Sequence, residues 1–159
     1  MTARKTAKPI ALPEFNEHGV LPVGIHDASL DEIKRRFGIF RSTDRRTRLI
    51  EQLVAYLAEA RDSGLVVGVI VDGSFITDKD EPSDVDIILV VDNSHDFGLD
   101  LSPAEYNVLS SRRARKRHGI DVLVAATGSD AYQRYIEFFQ ETREDPDVKK
   151  GLVRVQPWP

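Results

Sequence analysis

The sequence predicts an α/β fold: a compact mixed β-sheet with helices, preceded by an irregular N-terminal arm. Three observations predict it. Residues 65–71, 85–91 and 120–126 are short apolar runs rich in β-branched side chains, too short for typical helices, and read as buried strands. Between and around them, capped segments with apolar residues at helical spacing read as helices. The composition, 41% hydrophobic and 30% charged over 159 residues, suits a globular chain able to build one core without staples.

Taken in order, residues 1–28 contain Pro9, Pro13, Gly19, Pro22 and Gly24 with little periodicity, and are expected to form an irregular arm over a domain of residues 29–159. Ser29 and Glu32 form a capping box for a short helix running to about Phe37, stopped by Gly38. A longer helix, about 44–63, places Leu49, Ile50, Leu53, Val54, Tyr56, Leu57 and Ala60 at helical spacing and ends at Gly64. After the first two strands, Ser102, Pro103 and Glu105 open a helix expected to continue to Gly119. The third strand follows, then a helix capped by Ser129 or Asp130, then a short edge strand at 152–155. Strands joined without a crossover helix are expected to pair antiparallel.

There is no cysteine, which excludes disulfides, thiolate metal sites and cysteine nucleophiles, and fits a cytoplasmic protein. The basic start is not followed by an apolar run of signal-peptide length, and no stretch approaches a membrane span, so no membrane partner is expected. The net charge of −4 argues against a general nucleic-acid coat. Charge is unevenly distributed, however. Acid gathers in VDGSFITDKDEPSDVD, residues 71–86, and base in RRARKRH, residues 112–118.

Carboxylates beside buried strands repel one another and resist desolvation, so their placement needs a reason. Asp84 and Asp86, two apart at the start of a strand, point to one face. Two carboxylates there make a hard oxygen site suited to Mg²⁺. Asp121 stands at the start of the next strand, where its carboxylate can join them. Upstream, Gly73 and Ser74 follow the first strand at a sharp turn, where backbone N–H groups and a hydroxyl can hold phosphate oxygens. Asp72, Asp78, Asp80 and Glu81 read as a solvated loop.

A Gly-Ser turn, an Asp-x-Asp ten residues on from Ser74 and a third Asp in a later strand resemble the nucleotidyltransferase superfamily with the polymerase β-like fold, over about residues 65–126. In size the chain looks similar to the small bacterial minimal nucleotidyltransferases that pair with toxin partners. The resemblance implies an enzyme moving a nucleotide monophosphate from an NTP, ATP among them, to a hydroxyl of a protein or RNA. It implies two Mg²⁺ ions, or Mn²⁺, held by Asp84, Asp86 and Asp121, with triphosphate at Gly73 and Ser74. The small members carry Arg-Gly or a similar pair after the turn. Here Phe75-Ile76-Thr77-Asp78-Lys79 stands instead, and Lys79 is the nearby cation for phosphate. The alternative is a degenerate fold acting as an antitoxin-like binding module.

Other features have plainer readings. The basic block suits a solvated helix end, where cations also favour the helix dipole, with contact of Arg112, Arg115 or Lys116 to triphosphate or RNA as the functional option. His18, His26, His95 and His118 have no spacing that suggests a metal cluster. The aromatic group from Tyr132 to Phe139 reads as core, with nucleobase stacking open to one exposed tyrosine, and Trp158 as a tail packed on the domain.

Overall fold

A computed structural model describes residues 11–158. The elements run β1 (Ile25–Ala28), α1 (Leu30–Phe37), α2 (Arg45–Ser63), β2 (Val66–Asp72), a 3₁₀ turn (Ser74–Ile76), β3 (Asp86–Val91), α3 (Pro103–Leu109), α4 (Ser111–His118), β4 (Asp121–Ala126), α5 (Asp130–Gln140) and β5 (Leu152–Val155). The α/β class is as expected. The strands form one mixed sheet in the order β1-β5-β2-β3-β4. Joined by a loop, β2 and β3 pair antiparallel; joined by the crossover α3–α4, β3 and β4 pair parallel.

Alternation along the strands divides the sheet cleanly. Val69, Val71, Ile87, Leu89, Val122, Val153 and Val155 belong to the larger core with Ile33, Phe37, Leu49, Leu53, Tyr56 and Leu57 of α1 and α2. The opposite side chains, Ile70, Ile88, Val90, Ala125 and Leu152, pack with Ile136 and Phe139 of α5. Among the described residues, four helices therefore cover one face and a single helix covers the other. One helix of 11 residues cannot hide a five-stranded sheet, and part of its face stays open.

Four expectations need correction. The arm expected over residues 1–28, whose first ten residues lie outside the described part, ends in β1, and Leu12 and Leu21 are buried in the larger core. Short segments can be strands when a partner supplies the pairing, and β5 supplies it in parallel, Ile25 opposite Leu152. For the same reason β5 is not an edge: it lies inside the sheet between β1 and β2. The helix expected to continue to Gly119 is broken at Ser110, whose extended backbone ends α3 while its side chain accepts from Arg113 N to cap α4. The Ser29 cap also holds in only one direction: Ser29 Oγ accepts from Glu32 N at 3.1 Å, but Glu32 Oε1 accepts from Leu12 N at 2.7 Å, pinning the arm. Trp158 packs as expected, its Nε1 donating to Val66 O at 2.9 Å.

Candidate functional site

The open part of the α5 face lies where β2, β3 and β4 end or begin. Asp72 is the last residue of β2, Asp86 the first of β3 and Asp121 the first of β4. Register sets Asp72 opposite Asp86 and Asp86 opposite Asp121. Cross-strand partners point the same way, so three carboxylates form a row across three adjacent strands. Asp84 stands two residues before Asp86 and lines the same open cleft, of about 940 Å³, as do Gly73, Ser74 and Lys79. Gly73, Ser74, Lys79, Asp84, Asp86 and Asp121 are thus all brought to one cleft, whereas Arg112, Arg115 and Lys116 do not line it.

The turn that carries Asp84 is tightly bound. Gly73 has φ +98°, and a Cβ there would sit 2.7 Å from Asp84 O and 3.0 Å from Asp86 N, so only glycine lets the β2 exit pass against the β3 entry. Ser74 N and Oγ both donate to Asp84 Oδ1, at 2.9 and 2.5 Å, and Ser74 Oγ accepts from Ser83 N at 2.9 Å. Burial alone would raise the Asp84 carboxyl, but the Ser74 bonds and the charges of Lys150 and Arg143 hold it below its ordinary value.

The acidic loop is held from below by arginines. Arg46, 2% exposed, donates to Phe75 O and Thr77 O at 2.6 Å, to Lys79 O at 2.5 and 3.2 Å, and to Phe37 O at 3.2 Å. Arg45 donates to Pro82 O at 2.8 Å and Ser83 O at 3.0 Å, and Arg41 pairs with Asp80 at 2.8 Å. The loop between the Gly-Ser turn and Asp84 is therefore anchored along its backbone by the start of α2. The sequence signal, arginines at 41, 45 and 46 facing an acidic segment, lies nearly forty positions away and is legible only once the two segments meet.

Asp72 departs from its expected place in a solvated loop. It is 3% exposed and pairs with Lys150 at 3.0 Å. Its strand parity with Ile70, which it shares with the α5 face, explains why it turns inward. Burial raises its carboxyl above the ordinary value against the opposing pull of Lys150. At the other end of the row, Arg115 Nη1 donates to both carboxylate oxygens of Asp121, at 2.7 and 2.8 Å. The row is bracketed by cations, and Asp86 between them has none within ion-pair distance among the described residues. Burial first, then the charges of Asp84, Asp72 and Asp121, push its carboxyl up to about 7.

No group of three His, Asp or Glu side chains among the described residues stands as a ready metal cage. Asp84 and Asp121 are turned onto Ser74 and Arg115 instead. The donor set nevertheless fits a hard divalent cation: oxygen ligands only, on neighbouring strand ends, with a central carboxylate whose charge is opposed by burial and by like charges. The basic helix α4 is mostly committed to structure, since Arg113 donates to Asn107 Oδ1, Arg117 and His118 contact Glu59, and Arg115 holds Asp121. Lys79 stands at the cleft, but Lys150, which sequence reasoning missed, is the cation seated at the Asp72 end of the acidic row.

Over residues 13–156 the chain matches a family of unknown function, DUF6932, and belongs to that family. The matched span takes in the latter part of the arm, in keeping with the burial of Leu21. No curated protein and no solved structure matches the chain.

Proposed function

We propose that this protein is a nucleotidyltransferase that uses Mg²⁺, or Mn²⁺, to move a nucleotide monophosphate from an NTP to a hydroxyl of a protein or RNA acceptor. The observation that carries the reading is the in-register row Asp72, Asp86 and Asp121, with Asp84 beside it, opposite the Gly73-Ser74 turn. Asp84 and Asp86 would hold both cations and Asp121 one of them. When bound, such cations neutralise the charge that grows on the attacking and leaving oxygens of an in-line displacement.

The chain's own residues supply the rest. The Gly73-Ser74 turn lines the same cleft as the carboxylates and is where a phosphate would approach the backbone. The acceptor oxygen forms a bond to the α-phosphorus while the bond to the bridging oxygen breaks, and pyrophosphate departs with that electron pair. The acceptor proton passes to a carboxylate oxygen of Asp121, which must first release Arg115. The arginine-anchored loop keeps Asp84 placed throughout, so little ordering is required at the moment of reaction. The acceptor surface is open, and a partner from a toxin-antitoxin pair is one candidate to occupy it.

Purified protein incubated with labelled NTPs, Mg²⁺ and candidate protein and RNA acceptors should give labelled product, and Asp86→Asn or Asp84→Ala should lose at least a hundredfold of the rate. A second reading has its own observation. Because Arg115 and Ser74 already satisfy Asp121 and Asp84, the same row also suits a module that binds a partner without chemistry. No product from any acceptor, together with no thermal shift on adding Mg²⁺ and nucleotide, would favour that module.

A further inference from the structure

The α5 side of the cleft carries features that neither the metal ligands nor the glycine turn uses. Phe138 is 65% exposed and lines the cleft, whereas its neighbour Phe139 is buried in the core beneath α5. A large apolar ring left open beside a dense group of carboxylates costs hydration and returns nothing to the core. The α5 helix ends at Gln140, and Lys150 N donates to Gln140 O at 2.8 Å. At about 1.5 Å of rise per residue, Phe138 thus lies within one helical turn of the backbone that carries Lys150. The Lys150 ammonium reaches back over the sheet to Asp72, next to the Gly73-Ser74 turn. Arg143, exposed on the same wall, acts electrostatically on Asp84 with Lys150. The wall therefore presents, within a short span, one open aromatic face followed by two cations.

We infer that this wall binds the nucleoside triphosphate in one orientation, with the base stacked on Phe138 and the phosphates drawn across Lys150 towards the Gly73-Ser74 turn. The inference rests on the nucleotidyltransferase reading and adds the direction in which the nucleotide lies. Stacking on a single ring tolerates any base, because each base has a flat π-face. Lys150 is held by Asp72 in a position that a phosphate can share, since an ammonium has three donors and the carboxylate engages only part of it.

The test measures binding of a non-hydrolysable NTP and of inorganic tripolyphosphate, each with Mg²⁺, by calorimetry. Phe138→Ala should weaken the nucleotide about tenfold and leave tripolyphosphate unchanged, and Phe138→Trp should restore the nucleotide. Lys150→Met should weaken both ligands about ten- to a hundredfold. Because Lys150→Met leaves Asp72 buried without its partner, Asp72→Asn/Lys150→Met is measured beside it and should behave alike. Wild-type nucleotide affinity in Phe138→Ala or in the double variant overturns the inference while the nucleotidyltransferase reading stands. Equal weakening of both ligands by Phe138→Ala overturns it as well. A wild-type protein that binds neither nucleotide nor Mn²⁺, the latter followed by electron paramagnetic resonance, overturns the inference and the reading together.

Discussion

Among the described residues two charged side chains are almost wholly buried, Arg46 at 2% exposure and Asp72 at 3%, and their surroundings differ in kind. Arg46 spends all five guanidinium N–H donors on four backbone carbonyls. Burial lowers its pKa to about 10, which leaves it charged at neutral pH. Asp72 has one ammonium beside it and then two more carboxylates in a row, the middle one unpaired. A buried charge with a complete shell is scaffolding. A buried charge that shares too few cations with its neighbours is under electrostatic stress, which the proposed divalent ion would relieve. The two regions also depend on each other, because three of the four carbonyls that satisfy Arg46 belong to the loop that leads from Ser74 to Asp84.

The strongest way to break this contrast is Arg46→Met. Removing the guanidinium orphans four carbonyls at once, and the expected loss is about 3–5 kcal/mol, read as a lower denaturation midpoint in urea. A loss below about 1 kcal/mol would mean that the loop stands without its anchor.

Asp86→Asn tests the other region and should act in the opposite direction. In metal-free protein with chelator, the Asp86 carboxyl has a native pKa of about 7, above its unfolded value of about 3.9. Between those values the native state binds a proton that the unfolded state lacks, so stability is greatest at the acid end and falls as pH rises towards and through 7. At pH 8 Asp86→Asn should therefore be more stable than the parent by about 1–3 kcal/mol, with a weaker pH dependence across this window and no stabilisation by Mg²⁺. Equal pH profiles of the two proteins would show that the row is not under electrostatic stress.

Arg45→Ala should give the smallest change. Its two bonds to Pro82 O and Ser83 O are partly open to solvent, and about 1 kcal/mol is expected in the same urea titration. A loss as large as that of Arg46→Met would place the anchor at Arg45 and end the special status of the buried guanidinium.

Much of this molecule was legible from local pattern. Runs of β-branched residues marked β2, β3 and β4 to within a residue or two, and the spacing from Leu49 to Ala60 marked α2, because these signals depend only on neighbours along the chain. The carboxylates at 84, 86 and 121 could be read as one group because strand alternation and a parallel crossover restrict where such side chains point. Asp72 and Lys150 could not. Nothing near Asp72 distinguishes it from the solvated acids that follow, and its burial is set by β5, some eighty positions later, which brings Lys150 onto it. Ile25–Ala28 likewise has little strand signal of its own and is ordered by pairing with β5.

Local pattern along the chain was thus enough for the α/β class, for the extents of the main strands, and for the placing of Asp84, Asp86 and Asp121 near strand starts. Tertiary structure decided that β5 enters the middle of the sheet, that three arginines hold the acidic loop, and that a lysine and an open phenylalanine share the wall of the cleft. The reason is physical: secondary structure follows from short-range sterics and the burial period of each segment, whereas the partner of a buried charge is chosen by whichever distant segment the sheet order brings beside it.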